Sequence, residues 1–506
     1  MISFQKKIDL EPLRVSKKYD VCIIGSGPAG TITAKSLADQ GVDTILIESG
    51  NNLVQWLLDK SLKKLAAYEF TGNTDYPLTK TKARMIGGNS NFWTGRCERL
   101  HPSDFETHAY TPNGNPWPVS YEEMAPFYEM AENSLRVKGS HQRSSESPPR
   151  SNPLPVNQTT DISFLKNIFG RVGVAVDDSP TATPTKTLRF FKVQKEILPS
   201  FLSSPFGTLI TGVTATRLIN GHDRAISGVE VHTFDHHKET VRAKFYVLAG
   251  GGIENPRLLL LSKSEQFPNG IGNANDMVGR GFNEHPAVNL YARIPHSLGT
   301  ITPTNKIGRT HQFYSDYRDK GLGSILPVFR QAWVMPHHVM PFKLSNLPRN
   351  FLSVIQRIPK APLYIGATIE QKVLDSNRIT LSNNHNDIFG NPIAHLIFNF
   401  CDEDLELLDR CRKLAYSLFE KIGAQDIFEA DITWSRHHQG TCRMGRNART
   451  SVVNPNLRVH ETKNLFICGS DVFVTGGAMQ PCLSIVAFAH RLADHITTRL
   501  QKNNFL

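Results

Sequence analysis

The sequence predicts an α/β chain: a parallel sheet with helices on its faces, joined to a second α+β domain built on its own β-sheet. Three observations carry this expectation. The first fifty residues read strand, helix, strand; a glycine-rich turn joins the first strand to the helix; and 506 residues exceed what one ordinary core organises.

Residues 19–24 are apolar and strand-like, residues 29–40 carry helical periodicity, and residues 43–48 form a second apolar run. Such a βαβ unit implies parallel strands. Residues 136–161, rich in Ser, Pro, Asn and Gln, read as a long surface excursion. Two strand-like runs fill 208–234, and a third at 240–249 runs into Gly250, Gly251 and Gly252 before a helix at 253–261. No acidic residue occurs between Asp319 and Glu370, where Lys320, Arg330, Lys343, Arg349, Arg357 and Lys360 lie among aromatic and aliphatic residues. That segment reads either as a basic amphipathic patch able to rest on a membrane surface or as a strand-and-loop wall of the second domain. Helices are expected at 402–421 and 481–499.

Composition narrows the function classes. With 40% apolar and 20% charged residues the chain is expected to be globular, and no run reaches the ~18 apolar residues of a membrane span. The first eighteen residues lack the apolar centre of a secretory signal, so a cytoplasmic location is expected. The formal charge of +11 fits an anionic partner or surface equally with an ordinary basic protein, and no nucleic-acid motif accompanies it. Seven scattered cysteines without a CxxC pair read as reduced thiols.

Gly25, Gly27 and Gly30 in GSGPAG stand where a strand turns into a helix. The first permits the turn, the second lets the backbone approach a pyrophosphate, and the third brings helix and strand together. Glu48 ends the next strand, where a carboxylate binds ribose hydroxyls and disfavours a 2′-phosphate. A Rossmann-type site for NAD or FAD follows. Further small-residue clusters at Gly87, Gly88, Asn89 and Ser90, at Gly250 to Gly252, and at Gly469 to Asp471 favour FAD, which is contacted at more points along the chain.

With these motifs in place the chain resembles the glucose-methanol-choline (GMC) oxidoreductases nearly end to end. The resemblance rests on IGGNSNFWTGR (86–96), VGRGFNEHP (278–286), SNRITLSNNHNDIFGNP (376–392), HHQGTCRMG (437–445) and the segment 465–496. NPWPVSYEEMAPFYEMAE (115–132) is most similar to the pyranose-oxidase and gluconate-dehydrogenase side of the family. It implies FAD-dependent oxidation of a CH–OH group in a sugar, aminosugar, glycoside or polyol, with oxygen or another electron acceptor left open. A sterol or long-chain alcohol at a membrane surface, and a non-oxidative flavin reaction, remain the alternatives. The resemblance implies an FAD domain of residues 1–100, 205–285 and 440–506 and a substrate domain of 101–204 and 286–439. Val213, Pro481 and Cys482 join the glycine clusters as cofactor positions, with the closing helix aimed at the flavin pyrimidine. Where some pyranose oxidases link a histidine to the flavin this chain has Phe92, so the FAD is expected to be non-covalent.

Alcohol oxidation needs a base, and histidine suits that role at neutral pH. His437 occupies the position of the family's catalytic histidine, with His438 as its rival. Gln480 stands where the family ordinarily has His or Asn before a proline, one methylene longer than Asn, and the Met479-Gln480 spelling carries one residue more than usual. His285, His460 and His490 read as core histidines. His437, His438 and Cys442 lack the further ligands a zinc site requires, so no metal is expected. Arg84, Asn89, Asn91, Arg96 and Arg443 are further polar candidates, each with a structural reading beside the functional one.

Overall fold

The computed structural model describes residues 18–140, 144–156, 162–185, 190–298, 307–331 and 362–503. Lys18–Ile24 and Thr44–Glu48 form the predicted parallel pair, and near-continuous apolar sequence suits them to burial on both faces. Gly207–Thr211 extends the sheet in parallel beyond Thr44–Glu48. On the other side lies Lys238–Leu248, whose second half pairs in parallel with Lys18–Ile24 and Leu465–Ile467. Its first half turns antiparallel to Ile226–Thr233, which carries Val213–Asn220. The two strand-like runs expected across 208–234 are therefore three strands. The extra break falls at Gly212, whose φ of 73° ends one strand and starts the next.

The helix Pro28–Asp39 begins with proline in its first turn and buries Ala29, Ile32, Ala34, Leu37 and Ala38. The closing helix Cys482–Asn503 shares its core, as do Trp117, Tyr121, Met124 and Tyr128 from around the helix Tyr121–Ser134.

A second, antiparallel sheet runs in the order Gln425–Trp434, Pro286–Arg293, Leu363–Ile369, Ile325–Gln331, Ile307–Arg309, Asp177–Asp178. The helix Asp402–Lys421 covers one face, packing Leu407, Cys411, Leu418 and Phe419 against Val288, Leu290, Ile325, Phe329, Leu363 and Ile365. Alternation along the strands turns Asn289, Arg330, Tyr364 and Thr368 to the opposite face, away from that core. The acid-free segment thus contributes strands to a wall, as one of its two readings held. Residues 332–361, on which the membrane-contact reading rests, lie outside the described residues. No helix among the described residues is long and apolar enough to cross a membrane.

The surface excursion expected at 136–161 is seen over its described part, where most of 144–156 is exposed and a few residues tie it down. Ser144 and Ser147 donate to the Asp177 carboxylate, and Leu154 is buried. Polar hydrogen bonds rather than apolar periodicity anchor this segment. Arg150 reaches back to Glu132 at 2.9 Å, beside the two-pronged Arg99–Glu132 pair at 2.8 and 2.9 Å. Removing one member of a buried ionic group strands the others without a partner. Glu132→Ala is expected to lose about 3–5 kcal/mol, read from the midpoint of denaturant unfolding. A loss under about 1 kcal/mol, the range of exposed pairs, would show that the triad is not a buried brace.

Candidate active site

One cavity of about 930 Å³ runs from the glycine turn of the parallel sheet to the inner face of the antiparallel one. Its nucleotide-like end is formed by Gly25, Gly27, Glu48, Val213 and Gly250, and its other end by Gly88, Ser90, Gly469, Gln480, Pro481, Cys482 and His437. The walls suit FAD on two grounds. A Cβ placed on Gly27 would meet nothing within 4 Å, so the helix N-terminus offers open space where a pyrophosphate sits. Asn89 Oδ1, Thr214 Oγ1 and Gln480 Oε1 are buried along the wall without a hydrogen-bond partner among the described residues, as groups awaiting a ligand would be. Glu48 accepts from Ser26 N at 3.0 Å, Ser26 Oγ at 2.7 Å and Gly50 N at 3.0 Å, which aims a carboxylate with remaining acceptor capacity into the cavity.

Three expected cofactor positions lie behind the wall instead. Gly30 is the helix–strand contact: a Cβ there would fall 1.9 Å from the Gly25 carbonyl oxygen. Gly87 donates its N–H to Ser26 Oγ at 3.2 Å and so braces the turn. Asp471 is fully buried and accepts from Asn255 Nδ2 at 2.7 Å, while Asn255 Oδ1 takes the Gly250 N–H at 2.8 Å. It positions the glycine turn through Asn255; burial raises its pKa to about 6.

His437 follows the strand Gln425–Trp434. Its backbone N–H donates to the buried Glu284 carboxyl, which also accepts from Arg436 N at 3.2 Å. Gln439 N donates to Asn283 O at 3.1 Å, and Ser435 Oγ to His285 O at 2.9 Å. The Asn283–His285 segment is therefore the scaffold of the histidine loop. Burial lifts the Glu284 carboxyl to about 7.

His285 is fully buried, as a core histidine is expected to be, and its Nδ1 also lies 2.9 Å from His437 Nδ1. One of the two nitrogens must carry the proton. Gln439 Nε2 stands 3.1 Å from His285 Nε2 while Gln439 Oε1 has no partner. Turning that amide end for end pairs its oxygen with a His285 Nε2–H. His437 Nδ1–H then donates to His285 Nδ1, and His437 Nε2, which bonds no described residue, keeps its lone pair for a substrate. Burial, then the neighbouring His285, His438 and Arg96, hold His437 well below its usual pKa, so it is neutral.

His438 differs in its surroundings: Nε2 meets Thr81 Oγ1 at 3.1 Å, the ring packs on Tyr76 and Phe282, and burial lowers its pKa to about 3. His460 bonds Ser451, and His490 bonds Ser36 and Ser134, away from the cavity. Arg443 spans the Thr450 carbonyl and Asp375, and Asn91 holds the carbonyls of Ile86 and Gly88. Among the described residues no His, Cys, Asp and Glu cluster suits a metal. Sequence reasoning missed Glu284, His285, Asn289, Arg330 and Tyr364. The buried acid–histidine dipeptide within VGRGFNEHP was the one available signal.

The dinucleotide cradle and a neutral histidine, on the loop that follows a strand of the second sheet, open onto one cavity. The chain belongs to the GMC oxidoreductase family, whose models match residues 21–287 and 374–489; GMC oxidoreductases are FAD-binding flavoproteins. It is 22% identical to the fructose dehydrogenase large subunit of Gluconobacter japonicus, over 96% of this chain and 98% of that one. It is 26% identical to the paromamine 6'-oxidase of Streptomyces fradiae, over 94% and 91%. Its fold matches a formate oxidase of Aspergillus oryzae with a TM-score of 0.67 at 17% identity, covering 96% of this chain and 99% of that one.

The two glycines separate ligand contact from packing. Gly27→Ala is expected to fold with a native circular-dichroism spectrum but with little bound flavin, whereas Gly30→Ala is expected to lower the melting temperature outright. Full flavin content in Gly27→Ala would place the pyrophosphate elsewhere.

Proposed function

We propose that this protein oxidises a CH–OH group of a sugar or polyol, with His437 taking the hydroxyl proton at Nε2 and Gln480 aligning that hydroxyl. The observation that carries the reading is the neutral, His285-oriented His437 opening onto the same cavity as the glycine cradle. Its sugar-oxidising relatives support the substrate class. Bound FAD supplies the two-electron acceptor, at N5, for the hydrogen leaving carbon.

His437 accepts the proton as that hydrogen departs, and His285 fixes the ring and its tautomer. Gln480 offers an amide whose oxygen has no protein partner, immediately before the closing helix. The N-terminus of that helix favours negative charge on the group beside it. We also assign non-covalent attachment. Phe92 lines the cavity with the Arg436 guanidinium 4.8 Å over its ring, and burial keeps the Cys482 thiol protonated by raising its pKa to about 12. The two-domain division follows the expected boundaries in this reading, and seven free cysteines support a reducing, cytoplasmic location.

Acid precipitation is expected to release the yellow colour into the supernatant; colour retained in the pellet would mean a covalent link. His437→Ala is expected to slow flavin reduction about 10²–10⁴-fold with FAD still bound, and His438→Ala much less. The reverse ranking would move the base by one residue. Because burial holds His437 deprotonated below its usual range, kcat/KM is expected to show no histidine inflection between pH 6 and 8, the loss by protonation falling at lower pH. An inflection near pH 6.5 that disappears in His437→Ala would contradict this environment.

Gln480→Leu is expected to reduce the flavin about 10- to 150-fold more slowly, the loss of one transition-state hydrogen bond. Wild-type rates would remove Gln480 from the reaction.

A further inference from the structure

The cavity wall carries three acidic residues, and none is free at the His437 end. Glu48 is held by Ser26 and Gly50, Glu254 pairs with Lys82 and Arg84, and Asp387 pairs with Arg257. Lys82, Arg84 and Arg257 thereby each have a carboxylate partner. Arg96 and Arg330 are not: among the described residues neither has a carboxylate in ion-pair reach, and the Nε of each is buried without a hydrogen-bond partner.

Glu98, two residues after Arg96, and Asp177, paired in register with Arg309, are committed. Glu98 pairs with Arg309 and accepts from Ser179 Oγ at 2.8 Å, and Asp177 is engaged by Ser144 and Ser147. Arg330 projects from Ile325–Gln331 with its guanidinium 4.4 Å from the centre of the Tyr364 ring, a stacked pose that fixes the plane of its donors. Tyr364 is itself held by a 2.9 Å hydrogen bond to Asn289. Burial, then the charge of Arg330, lowers Arg96 to about 10, so Arg96 stays a cation at neutral pH with Arg330 close enough to oppose it. Arg96 also lies close enough to lower the proton affinity of His437.

Desolvating two like charges side by side is unfavourable unless something of opposite charge joins them. Their planar forks match the oxygens of a carboxylate or phosphate.

We propose that the alcohol oxidised at His437 belongs to a molecule carrying an anionic oxygen group, a carboxylate or a phosphate ester, which Arg96 and Arg330 hold. This rests on the alcohol-oxidation reading above and adds a charge requirement to it. A sugar acid or sugar phosphate is favoured over the neutral parent, and an amino sugar is the worst member of such a series. Binding the anion cancels the mutual repulsion of the two guanidinium groups and fixes one end of the substrate, leaving a hydroxyl to meet His437.

The test uses the flavin-loaded protein and four matched compounds: glucose, glucuronate, glucose 6-phosphate and glucosamine. In anaerobic stopped-flow reduction the better anion is expected to exceed glucose in kcat/KM by about tenfold or more, and the ranking of glucuronate against the phosphate ester identifies the anionic group. Arg96→Gln and Arg330→Gln are expected to compress the anion-to-neutral ratio about 10- to 100-fold, with Arg330→Lys recovering part of it. Equal rates for neutral and anionic compounds, or a ratio unchanged in both glutamine variants, overturns the proposal. If no compound bleaches the flavin, the alcohol-oxidation reading fails separately, and calorimetric titration with acetate and inorganic phosphate decides the anion site. Binding weakened in Arg330→Gln supports the site, and absence of binding to the wild-type protein overturns it.

Discussion

Glu284 accepts the backbone N–H groups of Arg436 and His437 from a position with no solvent exposure, and the geometry around the histidine follows from that contact. A buried carboxyl costs free energy unless its acceptors are used. Here backbone donors from the 435–439 loop use them, so the loop cannot drift without stranding the acid. Asn283 and Gln439 exchange backbone bonds alongside, and His285 lies next in the chain to meet the His437 ring. One short segment thus sets both the height of the histidine and the orientation of its ring.

Burial also sets the charge state of the site. His285 is lowered to about 4 and His438 to about 3 by desolvation, and His437 is depressed for the same first reason. With these three imidazoles neutral, the cavity-lining charges at that end are Arg96, Arg330 and Arg436, with the buried Glu284 carboxyl behind the histidine loop. The polarity is divided along its length: ion pairs beside the nucleotide end, and beside His437 the cations Arg96 and Arg330, which have no ion-pair partner among the described residues. A neutral base near fixed cations takes up a proton less readily in the resting state. It does so more readily once a bound anion offsets them, which couples substrate charge to the proton affinity of His437.

Much of this was legible in the sequence because it is local. The strand–turn–helix spelling of residues 19–40, the carboxylate at Glu48 and the helix at Asp402–Lys421 are written in contiguous residues with a clear period. What was hidden depends on partners far apart in the chain. His285 and His490 are both buried histidines, and nothing adjacent distinguishes the one that meets His437, 152 residues away, from the one that meets Ser36 and Ser134. Arg330 sits in an apolar strand whose alternation shows that it leaves the Phe329 face but not what lies opposite. Asp471 looked like a ligand residue because small-residue clusters surround it; its partner Asn255, 216 positions earlier, makes it a brace.

The cofactor cradle and the base loop are packed as one body. A Cβ on Gly252 would fall 2.7 Å from the His438 carbonyl oxygen, so the cradle turn and the histidine loop touch through backbone. Thr441 Oγ1 donates to Gly252 O at 2.8 Å, and Ser470 Oγ donates to His438 O at 2.7 Å, joining the third glycine cluster to the same contact. Backbone atoms have no rotamers, so separations set this way vary less than those set by long side chains. Transfer of a proton and a hydride from one carbinol requires the base and the acceptor to be held at a fixed spacing, where an error near 1 Å costs orders of magnitude in rate. Main-chain contact between the Gly250–Gly252 turn and the 437–441 loop fixes the separation of those two loops. Asn289, Arg330 and Tyr364 of the second sheet line the same cavity and take no part in that contact.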